Sequence, residues 1–137
     1  MEQEIIDKLQ NTTLSSSLLT HARLKHFAQI AQTSEDHISR IGMALSIKQG
    51  AIDLDWEPSS IGEHDAPMSV ITGKQIRGKT IFKDDLLVFM ALANQHQKIT
   101  EYDQWRATMN SHWERGVQTL TEVSTGQRDW IRILGSL

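Results

Sequence analysis

A chain of 137 residues, 39% hydrophobic and 23% charged, has enough apolar material for one packed domain over residues 1–137 and too much for a disordered one. Its 17 acidic and 14 basic residues leave a formal net charge of −3, unlike the strongly basic balance of a general polyanion binder. It contains no cysteine, which excludes disulfides, thiolate metal sites and a cysteine nucleophile, and fits a reducing cytoplasm.

Taken in chain order, Met1 to Lys8 has its acids first and no long apolar core, so no secretory signal is expected. Ile5 to Leu14 precedes a serine-started helix, a Thr33-Ser34-Glu35-Asp36 turn and a second helix. That is the order of a ribbon-helix-helix module, in which paired strands enter the DNA major groove. Gln10, Asn11, Thr12 and Thr13 are polar but not basic, however, and an ordinary helical hairpin fits the same residues. The first strong helix is expected to begin among Ser15, Ser16 and Ser17 and to end near Gln32. Its Leu24, Phe27, Ala28 and Ala31 fall at i, i+3, i+4 and i+7. Ser34 caps the next helix, whose inner face is Ile38, Ile41, Gly42 and Leu45 and which Gly50 stops.

A long turn-rich loop with Pro58, Gly62 and Pro67 follows. Thr80 or Phe82 leads into a third helix with the stripe Leu86, Phe89, Met90 and Ala93; Leu87, Val88 and Leu92 make it apolar nearly all round. Such a helix is central in the core or part of a subunit interface. Together with four tryptophans in so short a chain, it points to a homo-oligomer. The apolar run Leu86 to Ala93 is eight residues, too short to span a bilayer. Thr100, with Asp103 at the third position, is read as the cap of a fourth helix. Its stripe is Tyr102, Trp105, Met109, Trp113, Val117 and Leu120, and its expected end is near Gly126. Trp130, Ile131 and Leu134 suggest a short last helix. The fold class is therefore all-α: a compact bundle of about four to five helices, with one long loop between the second and third main helices.

Residues 73 to 80, Gly-Lys-Gln-Ile-Arg-Gly-Lys-Thr, match the phosphate-loop pattern G-x-x-x-x-G-K-[ST]. Met68, Val70 and Ile71 could end the strand that such a loop needs. The wider context opposes it: every further parallel strand takes a βαβ unit of about 30 residues, and the chain after Thr80 reads as helix and turn. Gln75, Ile76 and Arg77 are also bulky where backbone must hug a phosphate. What remains is charge. Asp53, Asp55, Glu57, Glu63 and Asp65 form an acidic stretch, and Lys74, Arg77, Lys79 and Lys83 a basic one directly after it, able to focus an anion on one surface.

Candidates for chemistry are sparse. His21 and His26 are five apart, which turns them away from each other on a helix. His64 between Glu63 and Asp65 is a conceivable loop metal site, outweighed by a solvated loop. His112 beside Trp113 is expected on the exposed side of its helix, and Glu114 with Arg115 reads as a surface pair. No combination supplies a nucleophile, a base and an oxyanion site, so the chain reads as a non-enzyme with no metal and no cofactor.

Three stretches resemble the DndE family of DNA sulfur-modification proteins. His37-Ile38-Ser39-Arg40-Ile41-Gly42-Met43-Ala44-Leu45-Ser46-Ile47 resembles that family's second helix. The Gly73-to-Phe82 loop with Gly78 and Thr80, then Leu86 and Leu87, is similar to its central segment, and Trp113-Glu114-Arg115-Gly116-Val117 to its late helix. The resemblance runs from about Ser15 to Glu122 and includes no catalytic signature. It implies a compact helical fold that assembles into tetramers and binds duplex DNA with a preference for nicks. Partner proteins, a sulfur-transfer enzyme and an ATPase-like protein, would replace a backbone oxygen with sulfur. The family's DNA contacts are attributed to surface lysines. Carried over, Lys25 and Arg40 match basic positions, and Lys74, Arg77 and Lys79 lie in the corresponding central loop; Lys83 extends the same basic run. The expectation is an accessory DNA-binding subunit that holds phosphates through Lys25, Lys74, Arg77, Lys79 and Lys83. The rivals are a ribbon-helix-helix regulator and a protein scaffold of the same complex that makes no DNA contact.

Overall fold

Serine side chains open two of the helices. Ser17 accepts the Thr20 N–H and Ser34 the His37 N–H, each supplying a partner that the first helical turn lacks. The computed structural model describes residues 2–61, 65 and 69–126. In chain order its elements are α1 (Glu2–Asn11), β1 (Thr13–Ser15), α2 (Leu18–Ala31), α3 (Glu35–Gln49), β2 (Gln75–Arg77), α4 (Gly78–Phe82), α5 (Leu86–Asn94) and α6 (Tyr102–Gly126). A single 3-10 turn, Lys83–Asp85, joins α4 to α5. The fold is all-α apart from one ladder, β1 antiparallel to β2 with Leu14 opposite Ile76. Gln32 ends α2 in the left-handed conformation, and Gly50 ends α3 at φ +117°, a region closed to most side chains.

Two expectations need correction at the start of the chain. Of Ile5 to Leu14 only Thr13 and Leu14 are strand: residues 2–11 are helical, with Ile5, Ile6 and Leu9 against the core and a Glu4–Lys8 ion pair one turn apart on the outer face. Nor does β1 await a second copy. Its inner edge pairs with β2, and on its outer edge Ser15 N–H donates to Asn110 while the Thr13 carbonyl accepts from Arg106. At α6, which starts at Tyr102, Gln104 rather than Asp103 reaches back: its Oε1 accepts from the N–H groups of Thr100 and Glu101. Val70 and Ile71 end no strand, and Ile71 is exposed; Met68 and the expected helix at Trp130, Ile131 and Leu134 lie outside the described residues.

α6 is the axis of the domain. Trp105, Met109, Trp113, Val117 and Leu120 are buried as its stripe predicts, but so are Thr108, Ser111, His112, Glu114 and Thr121, because neighbours cover more than one face. Its main neighbour is α3, and the two meet backbone to backbone. A Cβ placed on Gly116 would lie 1.7 Å from the Gly42 carbonyl oxygen, and one on Gly42 would lie 3.0 Å from the Val117 nitrogen. Only the absence of side chains lets these helices approach so closely.

Buried and half-buried polar side chains fasten the long loop after α3. Arg23, fully buried in α2, makes a two-pronged pair with Asp65 (Nε–Oδ1 2.9 Å, Nη2–Oδ2 2.8 Å) and also donates to Gln118 and the Ser59 carbonyl. Gln97 meets the Ile52 backbone with both ends of its amide. Arg115 donates to the carbonyls of Ser46, Gly50 and Ala51, closing the C-terminus of α3. Glu114 and Arg115 are therefore not a surface pair, since Glu114 is buried and accepts the Ser17 N–H at 2.6 Å.

The helix crossing makes a graded prediction. Gly116→Ala must force α3 from α6 and is expected to cost on the order of 3 kcal/mol or more, whereas Gly42→Ala should cost about 1–3 kcal/mol. Urea denaturation of the two variants, with the midpoint shift larger for Gly116→Ala, is the check.

Candidate nucleic-acid interface

The phosphate-loop match resolves into packing. Gly73 and Gly78 are glycines because the chain passes directly against them: an added Cβ would lie 1.8 Å from the Ser16 carbonyl oxygen and 1.8 Å from that of Leu9, respectively. Between them, Gln75–Arg77 is strand β2. The N–H of Gly78 donates to Thr12 and that of Lys74 to Ser16 Oγ. A phosphate loop needs a run of free, converging N–H groups, and here these donors are committed to protein acceptors.

The basic residues nearby are arranged by α3, α4 and the turn after it. Lys79 and Lys83 are exposed and line one hollow of about 400 Å³ with Gln10 and Asp84. Lys83 also lines a second hollow of about 400 Å³, with His37, Arg40 and Thr80. Its φ of 47° is rare for a residue with a side chain and sets the sharp turn that carries it to the junction of the two hollows. Arg40 reaches across from α3: Nε donates to the Ile81 carbonyl and Nη2 to the Thr80 carbonyl, covering acceptors at the end of α4. It serves as an inter-helix clamp whose guanidinium also faces the second hollow.

The other expected contacts are placed less favourably. Lys74 is half-buried between Glu35 (3.7 Å) and Asp36 (3.6 Å), so its charge is already answered within the protein. Arg77 is exposed on β2, next to α4. Lys25 is exposed on α2, one turn after His21, whose ring contacts the Thr72 carbonyl and Glu35. Thus Lys79 and Lys83 come together, Arg40 joins them, Arg77 flanks them, and Lys25 and Lys74 belong to different surroundings. Lys83 completes the cluster only because of a backbone turn that residue spacing does not reveal.

Glu63 and His64 lie outside the described residues, and the Asp65 carboxylate is held by Arg23. Among the described residues no group of three His, Asp or Glu side chains could hold a metal ion. No described helix is long and apolar enough to cross a membrane.

One hydrogen-bonded pair has the composition of a nucleophile and its base: Ser46 Oγ and His112 Nδ1, 2.8 Å apart. Both are sealed in the core, with His112 only 1% exposed rather than facing solvent. Arg115 Nε donates to Ser46 Oγ (2.8 Å). Ser46 Oγ thus accepts from Arg115 and shares a second hydrogen bond with His112 Nδ1, whose direction follows the tautomer of the ring. Burial first, then the charges of Arg115 and His96, lowers the His112 pKa from 6.5 to about 4. This is a structural relay from α6 to the end of α3, closed to substrate.

No family model matches the chain, and no curated protein or solved structure matches it significantly.

His112 makes stability depend on pH in a defined direction. Above 6.5 the ring is neutral in folded and unfolded chains alike and adds no slope. Between 6.5 and about 4 the unfolded chain takes a proton that the folded one refuses, so stability falls with acidification; below about 4 this group's contribution levels off. The full effect is about 3 kcal/mol. His112→Asn should remove about one proton from the pH slope within that window, read from denaturation midpoints.

Proposed function

We propose that this chain is the DNA-binding, non-catalytic subunit of a DNA backbone sulfur-modification system, as its resemblance to the DndE family implies. The observation that carries the reading is the Lys79–Lys83–Arg40 cluster, two free ammonium groups beside a partly committed guanidinium on one surface. Phosphates spaced along a duplex backbone suit such a cluster, and no base-reading helix is required. Arg77 extends it along β2. Lys25 would act as an outlying contact, and Lys74 only if phosphate displaced it from Glu35 and Asp36. The chain then positions DNA while a sulfur-transfer protein and an ATPase-like protein perform the chemistry.

Binding to matched nicked and intact duplexes across a salt series tests the reading. Wild-type binding should weaken steeply with salt, and Lys79→Ala/Lys83→Ala should flatten the log–log slope by roughly 2, about 0.9 per lost phosphate contact. A slope unchanged in the variant would place the contacts elsewhere. Absence of binding even at low salt would favour the scaffold reading.

A protein contact is supported separately by α5. Leu86, Phe89, Met90 and Ala93 face inward, while Leu87 (59% exposed), Val88 (54%) and Leu92 (40%) lie on the surface. We assign that apolar face to a second copy of the chain, and a tetramer is the assembly that the resemblance implies. Leu87→Glu/Leu92→Lys should reduce the sedimentation mass without loss of helical signal; an unchanged mass would remove α5 from the interface.

A further inference from the structure

The acidic stretch after α3 builds one wall of a groove whose other wall is the first half of α6. The groove is about 530 Å³ and open along one side. Leu54 and Trp56 form its apolar wall, Glu57 and Asp103 stand on it from facing elements, and Ser111 and Glu114 line it from α6. Leu54 is 49% exposed, an apolar side chain left without cover.

The residues along α6 are satisfied unevenly. Arg106 and Asn110 also line the groove, but both already hold β1: Arg106 Nη2 donates to the Thr13 carbonyl and Asn110 Oδ1 accepts from the Ser15 N–H. Glu114 is 8% exposed and uses Oε1 for the Ser17 N–H, and its Oε2 has no protein donor among the described residues. Ser111 is 7% exposed as a residue, and its hydroxyl makes no side-chain hydrogen bond among the described residues and keeps contact with solvent. That hydroxyl therefore opens into the groove, where a ligand can reach it.

We propose that this groove receives an arginine side chain from an extended segment of a partner protein, with an adjacent apolar residue seated on Leu54. Three carboxylates, Glu57, Asp103 and Glu114, face a single guanidinium, Arg106, which is engaged elsewhere; the surplus favours a cation. A guanidinium brings planar donors for the Glu114 oxygen and the Ser111 hydroxyl, and it can stack on the Trp56 ring. The open side and apolar wall suit a peptide passing through, since a small free cation would find too little enclosure. The same carboxylates repel phosphate, so this surface is separate in chemistry from the Lys79–Lys83 cluster and does not depend on the DNA reading.

The test uses the full chain labelled with 15N and the probe acetyl-Gly-Arg-Leu-Gly-amide, with citrulline replacing arginine in the control peptide. Saturable shifts are expected at the Trp56 indole N–H and the amides of Glu57, Asp103 and Ser111, with none from the control. Glu57→Gln/Asp103→Asn should weaken binding at least tenfold. Ser111→Ala should weaken it several-fold with thermal stability unchanged, because its hydroxyl holds nothing within the chain. No shifts, equal shifts from both peptides, or binding unaffected in the variants would overturn the proposal. Displacement of the signals to the Lys79–Lys83 region would do the same.

Discussion

The fold depends on the closeness with which two helices touch. At Gly42 and Gly116 the backbones of α3 and α6 meet with no side chain between them. That contact sets α6 deep enough for neighbours to cover several of its faces, burying polar residues along with its apolar stripe. Polar groups of α6 are thereby brought against α3: Ser46 meets His112, while Arg115 closes the carbonyl end of α3. An apolar stripe alone would hold the helices together. The glycine contact and the hydrogen bonds beside it fix their register.

The same rule, backbone passing against backbone at a glycine, accounts for the most suggestive motif in the chain. Gly73 and Gly78 have phosphate-loop spacing, but they sit on either side of a strand that crosses Ser16 and Leu9 at close range. The ladder they permit carries Arg77 outward and delivers the chain into α4, after which Lys83 turns back beside Lys79. A packing requirement therefore places the backbone that carries the basic surface, on which Lys79 and Lys83 are exposed.

Charge is sorted in the same economical way. Among the described residues, no ion pair joins the acidic loop to the basic run that follows it in sequence. Asp65 is drawn to Arg23 in α2, and Lys74 is answered by Glu35 and Asp36 at the start of α3. A buried arginine–aspartate pair adds little net stability but is costly to break from one side, which makes it an effective fastening for an irregular loop. Once the loop is fastened, Glu57 and Trp56 line a groove with α6, while Lys79 and Lys83 line a separate hollow.

Periodicity in the sequence was enough to define α2, α3, α5 and α6, because caps and apolar spacing are local: Ser17, Ser34 and Gly50 act within a turn of themselves. For residues 5–14 the sequence left a ribbon strand and a helical hairpin both open, and only packing of Ile5, Ile6 and Leu9 on the core separates the two. The basic run was visible, yet which lysines share a surface was not, since that rests on the Lys83 backbone turn and on acids brought from α3. Arg23 offered a weak signal, lying between Thr20 and Phe27 at inward-facing positions of α2, but its partner is 42 residues away. Composition and local pattern determined that the chain is helical, has no cysteine chemistry and divides its charge into an acidic and a basic stretch. Tertiary structure alone decided which of those charges are spent inside the fold and which remain for partners, because pairing depends on distances that folding creates between residues far apart in sequence.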